Sequence, residues 1–334
     1  MKTKPLFWAF FLTFFGIQSF GQDLHNGAEI LEILDASDIS YIINLTKEKF
    51  PVIDRSDNLL YNNYYRADPE DPRSVTRYQV SEMGQQNLEK AEKAFSDQEY
   101  DKARDFYLDV LKTDPEYYKM LTYIGQTFGI ERQWEEAANW YQQAIEANPI
   151  DYMSHWFLGD VYAVRGEYET ALRLSIYGHI LNRNNPRILA SVENILKEQK
   201  RKYLKINTQP QVQLDSLGPK EVDIRFQEAW LGYALTKAVW DFEPGYAEDM
   251  GSSRTRESIL EEKECILNLL NTASKKALRK DKGLRLANEA VRAGFLEAYI
   301  LYEILLPQYP HVALQLPPQN LEVIYDYVIQ FRIK

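Results

Sequence analysis

One interval organises the middle of this chain. Gly125 and Gly159 stand 34 residues apart, Ala103, Ala137 and Ala171 follow one another at the same spacing, and Pro115 and Pro149 repeat it again. A period of this length constrains the fold strongly. Each copy is one supersecondary unit that can bury its apolar face only against its neighbours. In the second copy Leu121, Ile124, Gly125 and Phe128 mark a first helix, and Ala137, Tyr141, Ala144 and Pro149 a second. The third copy offers Leu158, Gly159, Tyr162 and Ala171. The first offers Ala91, Ala103, Tyr107 and Pro115, with Lys90 where an apolar side chain is expected. The small residues let paired helices approach closely, and the larger ones fill the space between successive helices. Asp114-Pro115 and Asn148-Pro149 are turn dipeptides that end each second helix. Gln98-Glu99-Tyr100-Asp101 and Arg132-Gln133-Trp134-Glu135 are matching turns inside the hairpins. The third copy departs from this pattern. Ser175 and Gly178 replace larger residues and Pro186 comes three residues late, which predicts a longer or bent helix from Ala171 to Asn182.

On this spacing and these residues, the stretch from about 82 to 186 resembles the tetratricopeptide repeat (TPR) proteins. The resemblance implies an all-α chain: a solenoid of three helical hairpins with flanking and C-terminal helices. It also implies a protein that holds another protein or peptide, with no cofactor, in a concave groove lined by the first helix of each repeat. Carried onto this chain, that groove would present Gln85, Glu92, Lys119, Thr122, Gln126, Trp156 and Asp160, with Trp156 as the anchor. TPR proteins that clamp the acidic tails of heat-shock chaperones place Lys, Arg and Asn in the groove. Here the corresponding places hold Leu88, Glu92, Tyr123, Met153 and Phe157, which speaks against that partner.

The first residues read as an export signal. Lys2 and Lys4 precede an apolar run, Leu6 to Phe20, that is short of the roughly 20 residues a membrane helix needs. Ser19-Phe20-Gly21 then supplies small residues for cleavage before Gln22, giving a signal peptide at 1–21. No Cys follows to take a lipid anchor, and no other segment is apolar enough to span a bilayer. The mature chain is expected in the periplasm or outside the cell. Its one cysteine, Cys265, falls in an apolar helical stripe and reads as a buried thiol. A net charge of −10 disfavours nucleic acid and anionic membrane surfaces.

The remaining chain divides by pattern. Residues 22–80 read as a helical segment and a loop. Two short helices lie within 27–49, the second carrying Ile39, Ile42, Ile43 and Leu45, and a polar loop fills 51–80. The array with its capping helix occupies 81–205, the cap marked by Ile188, Leu189, Val192, Ile195 and Leu196. A linker follows at 206–219, then a C-terminal helical domain at 220–334. That domain is expected to hold long helices at 220–241 and 254–280 and shorter ones near 284–292, 295–305 and 319–332.

Phosphate loops, dinucleotide fingerprints, nucleophile elbows and zinc-protease motifs are absent from the sequence. The four histidines, His25, His155, His179 and His311, have no ligand-like neighbours in sequence. Three functions compete. The first is a protein-interaction scaffold, in a cell-envelope assembly. The second is a glycan binder using the 23 Tyr, 15 Phe and 6 Trp. The third is a hydrolase using Glu243, Glu248 and Asp249 in the corner at 240–249, against the plainer reading of that corner as a rigid turn.

Overall fold

The computed structural model describes residues 24–50, 64–68, 70–252 and 258–334. The export segment, much of the expected loop at 51–80 and residues 253–257 lie outside the described residues.

The repeats form as their spacing requires. Three hairpins follow one another: α2 (Glu82–Ser96) with α3 (Tyr100–Thr113), α4 (Lys119–Ile130) with α5 (Trp134–Ala147), and α6 (Tyr152–Val164) with α7 (Tyr168–Leu181). Ahead of them lies α1 (Gly27–Ala36), held at its start by a reciprocal cap between Asn26 and Glu29. After them comes α8 (Pro186–Glu198), with Pro186 in the first turn and Asn185 as its cap. The turns inside the hairpins repeat to the atom. Gln98, Arg132 and Gly166 all take left-handed backbone, with φ of 62°, 61° and 78°. The residue after each donates its N–H five residues back, to Ala94 O, Phe128 O and Tyr162 O. The same turn occurs a fourth time, after α8. Lys200 has φ 58°, and Arg201 N–H reaches Leu196 O. The chain therefore begins a fourth repeat and does not finish it. Where the second helix would start, Lys202 and Leu204 pair with Arg332 and Lys334 in an antiparallel bridge centred on Tyr203 and Ile333.

The departure in the third repeat has a packing reason. A Cβ on Gly159 would meet Ser175 Oγ at 2.5 Å, and one on Gly178 would meet Tyr152 O at 3.1 Å and Trp156 N at 3.2 Å. Small residues at 175 and 178 bring α7 onto the backbone of α6. The helix is not lengthened: α7 ends at Leu181, 34 residues after α5 ends at Ala147.

Outside the repeats, parts of two expected helices, and parts of the expected loop and linker, are strands. Residues 40–45 form β1 (Ser40–Leu45), where a helix was expected. Within the expected loop, β2 (Tyr64–Arg66) and β3 (Val75–Arg77) make a small hairpin. The expected linker at 206–219 contains β4 (Val212–Gly218), and the expected helix at 220–241 opens with β5 (Glu221–Phe226). These form a mixed sheet in the order β1-β5-β4, with β1 parallel and β4 antiparallel to β5. The strand at 221–226 was legible, because Val222, Ile224 and Phe226 alternate with Glu221, Asp223 and Arg225, and the three apolar residues are buried. The run at 39–45 fits both periods. β-Branched residues and a distant partner decide for strand.

The rest is helical: α9 (Leu231–Phe242), α10 (Tyr246–Asp249), α11 (Ile259–Thr272), α12 (Lys275–Lys280), α13 (Lys282–Arg292), α14 (Leu296–Tyr299), α15 (Leu306–Gln308) and α16 (Pro318–Tyr327). The expected helix at 254–280 is broken at Ala273-Ser274, where Ser274 caps α12. The largest apolar core runs without interruption from α7 and α8 through the sheet into these helices, and takes in Ile30 of α1. Tyr233, Tyr299, Tyr302 and Tyr327 are among its fully buried side chains, so much of the aromatic content is core. The β2–β3 hairpin is tied to the same body. Arg66 donates to Leu314 O and Leu316 O, and Asn148 donates to Tyr64 O.

Candidate functional site

The seven residues expected in the groove separate into three groups. Gln85 and Glu92 are exposed on α2. Gln85 donates to Glu89 one turn on, and Glu92 carries its charge near Tyr107 and Tyr117. Gln126 is half-buried on α4.

Lys119 and Thr122 are corrections. Both are sealed between the second and third repeats, at 3% and 0% exposure, and face no ligand. Lys119 Nζ lies 3.6 Å from Asp151 Oδ1 and 3.1 Å from Met153 Sδ, between the rings of Tyr123 and Tyr152. Thr122 and Ser154 donate their hydroxyls to Asp151 Oδ2, and Met153 N–H donates to Oδ1. Burial alone would raise the Asp151 carboxyl, but the Lys119 charge and these donors together hold it below the usual carboxylate range. Burial lowers the Lys119 ammonium, with Asp151 opposing. The reason is geometric: close packing of successive repeats turns these positions of α4 into an interface with α6.

Trp156 and Asp160 are half-buried on α6. They line an open cleft of about 700 Å³ between α6 and α8. On α6 the lining is Trp156 with Asp160, Ala163 and Val164, which follow it at four, seven and eight residues and so share one face. On α8 it is Arg187, Ala190, Ser191, Asn194, Ile195 and Glu198, again one face. The opposite face of α8, with Ile188, Val192 and Leu196, is buried in core. Ser191 Oγ–H donates to Asp160 Oδ1 across the cleft. Burial raises the Asp160 carboxyl, opposed by Ser191 and by the nearby Trp156 indole. That indole is half-buried; its Nε1 is shielded from solvent and makes no hydrogen bond of good geometry. Its ring packs on Phe157 with centroids 5.0 Å apart. The wall is apolar where Val164 stands 60% exposed. Sequence reasoning missed the α8 half of the cleft because it took that helix only as a cap. The polar face at 187, 191, 194 and 198 was the available signal.

The acidic corner at 240–249 is built as a turn. Gly245 takes φ 83°, Glu243 accepts from Tyr41 OH at 2.6 Å, and Glu248 and Asp249 lie exposed on α10. Trp240 Nε1 and Tyr246 OH both donate to the buried Glu264. Among the described residues no group of three His, Cys, Asp or Glu is gathered to hold a metal. Burial pushes the Cys265 thiol well up. A second buried polar network was not foreseen. Glu303 accepts from Arg332, Thr208 and Tyr327, while Tyr302 bridges Tyr203 and His179. Every member is packed in core, so it ties helices together and presents nothing to solvent.

No protein-family model matches this chain, and no curated protein does. Among solved structures it is similar to the first TPR of Spaghetti (RPAP3) bound to the HSP90 peptide SRMEEVD, at 19% identity over 36% of this chain and 95% of that one, with a TM-score of 0.34. It is similar to the Sgt2 TPR domain from Aspergillus fumigatus at 19% identity, over 36% of this chain and 82% of that one, TM-score 0.34. It is also similar to the Arabidopsis OM64 TPR domain at 15% identity, over 35% and 97%, TM-score 0.33. The features internal to the chain are the 34-residue register, the recurring left-handed turn and the glycine-on-helix packing of Gly125 against Tyr141 and Gly159 against Ser175. On them, residues 82–181 fold as three successive helical hairpins in the tetratricopeptide arrangement, with α8 opening a fourth.

Proposed function

We propose that this chain is an interaction scaffold that holds a segment of another protein in the cleft between α6 and α8. The observation that carries the reading is the cleft itself. Two helices of the array present facing stripes of apolar and polar side chains, with a half-buried indole beside a partly buried carboxyl. Concave sites with an apolar wall and a few convergent polar groups are where ligands settle. Val164, Ala163, Ala190 and Ile195 offer a wall for an apolar side chain, and Asn194, Arg187 and Glu198 offer hydrogen bonds at the rim. We further propose that the scaffold works outside the cytoplasm, in a cell-envelope assembly. Support for that comes only from residues 1–21.

The test is selection of displayed peptides on the mature chain, counter-selected on Ser191→Trp, which fills the cleft. Enriched peptides should bind wild type and lose binding to Ser191→Trp and Trp156→Ala. Peptides that bind all three equally, or none enriched at all, would end the reading. A glycan array on the same three proteins checks the competing idea; a ligand there that needs Trp156 would replace a protein partner with a carbohydrate.

A further inference from the structure

The charges of the α6–α8 cleft bear on what it can hold. Trp156, Asp160 and Val164 line it on α6, and their counterparts 34 residues on, Ala190, Asn194 and Glu198, line it on α8. The same places one and two steps back along the chain fall on α4 and α2. These twelve positions carry three acids, Glu92, Asp160 and Glu198, and no Lys or Arg. Two cations, Lys119 and Arg187, occur just ahead of these rows. Lys119 is paired with Asp151 inside the array. Arg187 is exposed at the start of α8, seven residues before Asn194 and so about 10 Å away along the helix.

Asp160 is the distinctive member. Its counterparts Gln126 and Asn194 are neutral amides. An amide would accept from the Ser191 hydroxyl equally well, so charge is what Asp160 adds. Among the described residues no cation neutralises it: its donors are Ser191 and the nearby Trp156 indole. A carboxylate held partly out of water gains more from an arriving cation than an exposed one does. Trp156, one helical turn away, presents the ring that attracts cations most strongly. Ala163, Val164 and Ile195 supply apolar wall beside these groups. Lysine and arginine are the side chains that use both features, with an aliphatic stem for the wall and a charged head for the carboxylate.

We propose that the protein segment held in this cleft is basic, and that one of its lysine or arginine side chains lies along the apolar wall with its charge against Asp160. This rests on the cleft being a peptide site, as proposed above. An acidic side chain in the same place would meet Asp160 with like charge. The net charge of −10 draws basic segments towards the chain as a whole, and Asp160 localises that attraction to the cleft.

A displayed library of random peptides, selected on the mature chain, is the probe. Peptides that need Trp156 should share a lysine or arginine. Resynthesis with norleucine at that position keeps the stem and removes the charge, and should weaken binding about tenfold or more, as loss of a charge-assisted contact does. Asp160→Asn should weaken the basic peptide by a similar factor and bind the norleucine peptide as wild type does. Glu136→Gln, which removes the same charge from the exposed start of α5, should leave both affinities unchanged. Thermal melts confirm that both variants fold, and the norleucine exchange needs no variant. Peptides that need Trp156 but share no basic residue overturn this proposal and leave the cleft standing as a peptide site. So do peptides that bind Asp160→Asn as tightly as wild type, or acidic peptides that need Arg187. If no selected peptide depends on the cleft, both readings fall together.

Discussion

Lys119 of the second repeat and Asp151 at the start of the third form an ion pair inside the array, Nζ to Oδ1 at 3.6 Å, with both side chains nearly fully buried. Because both are shielded from water, removing one leaves an uncompensated buried charge. Asp151→Ala should cost about 3–5 kcal/mol, and Lys119→Ala a comparable amount. The double variant should cost less than the sum of the two, since each single change already breaks the pair. Asp151 is held below its ordinary value, so its contribution is present above about pH 4 and fades as pH falls through the depressed value. Chemical denaturation of the cycle measures the coupling; strict additivity would mean the pair does not form.

Trp156→Ala should separate binding from folding. The ring is half-buried, and one side rests on Phe157 while its edge lines the cleft. The expected stability loss is about 1–2 kcal/mol, below the range for a fully buried aromatic. The expected loss of affinity for a selected peptide is about 2 kcal/mol or more. Calorimetric melting beside titration of the same variant gives both numbers. A melting loss at the full core value with unchanged affinity would place the ligand elsewhere.

Gly125→Trp should cripple the second repeat. A single Cβ at Gly125 would already lie 2.7 Å from the Tyr141 ring, and an indole cannot be accommodated without parting α4 from α5. The loss should exceed the ordinary overpacking cost of about 1–3 kcal/mol. An unchanged melting temperature would contradict the hairpin packing.

Lys200→Gly should stabilise the chain. Lys200 occupies the left-handed position after α8 that Gly166 fills after α6, and a side chain there is strained. A gain of about 0.5–1 kcal/mol is expected, with a loss of similar size for Gly166→Ala. Thermal melts of the two variants should move in opposite directions.

The Glu261 carboxyl should give the chain a pH-dependent stability. Burial pushes it up to about 7, with Lys237 opposing and Glu262 adding. Its folded value lies above its unfolded one, so its protonated form favours folding. That contribution is complete below about pH 4.5 and is lost as pH rises through 7. Between pH 5 and 8 the loss should be on the order of 1–3 kcal/mol, and Glu261→Gln should flatten the slope. Denaturant midpoints across that range decide it; identical slopes in both proteins would remove Glu261 from the account.

The repeat was legible because its determinants are local and recur. Small residues at Gly125, Gly159, Ala137 and Ala171 fix where helices touch, and the turn residues recur at one interval, so register and hairpin order follow from spacing alone. The expectation that Trp156 and Asp160 line a groove came from the resemblance to TPR proteins and not from spacing. Tertiary structure alone decided the rest, through contacts between residues far apart in the chain. Whether Ile42 and Ile43 belong to a helix or a strand depends on β5, nearly two hundred residues away, since their spacing fits both. Whether Lys119 faces a ligand or Asp151 depends on how tightly successive repeats close, which no single-residue pattern reports. That α8 supplies half the cleft, and that its unfinished repeat is sealed by residues 332–334, depends on a return of the chain after more than a hundred residues. Periodicity encodes which face of an element is apolar. The identity of what covers that face is a long-range choice, made by the total packing energy and by which backbone groups remain to be paired.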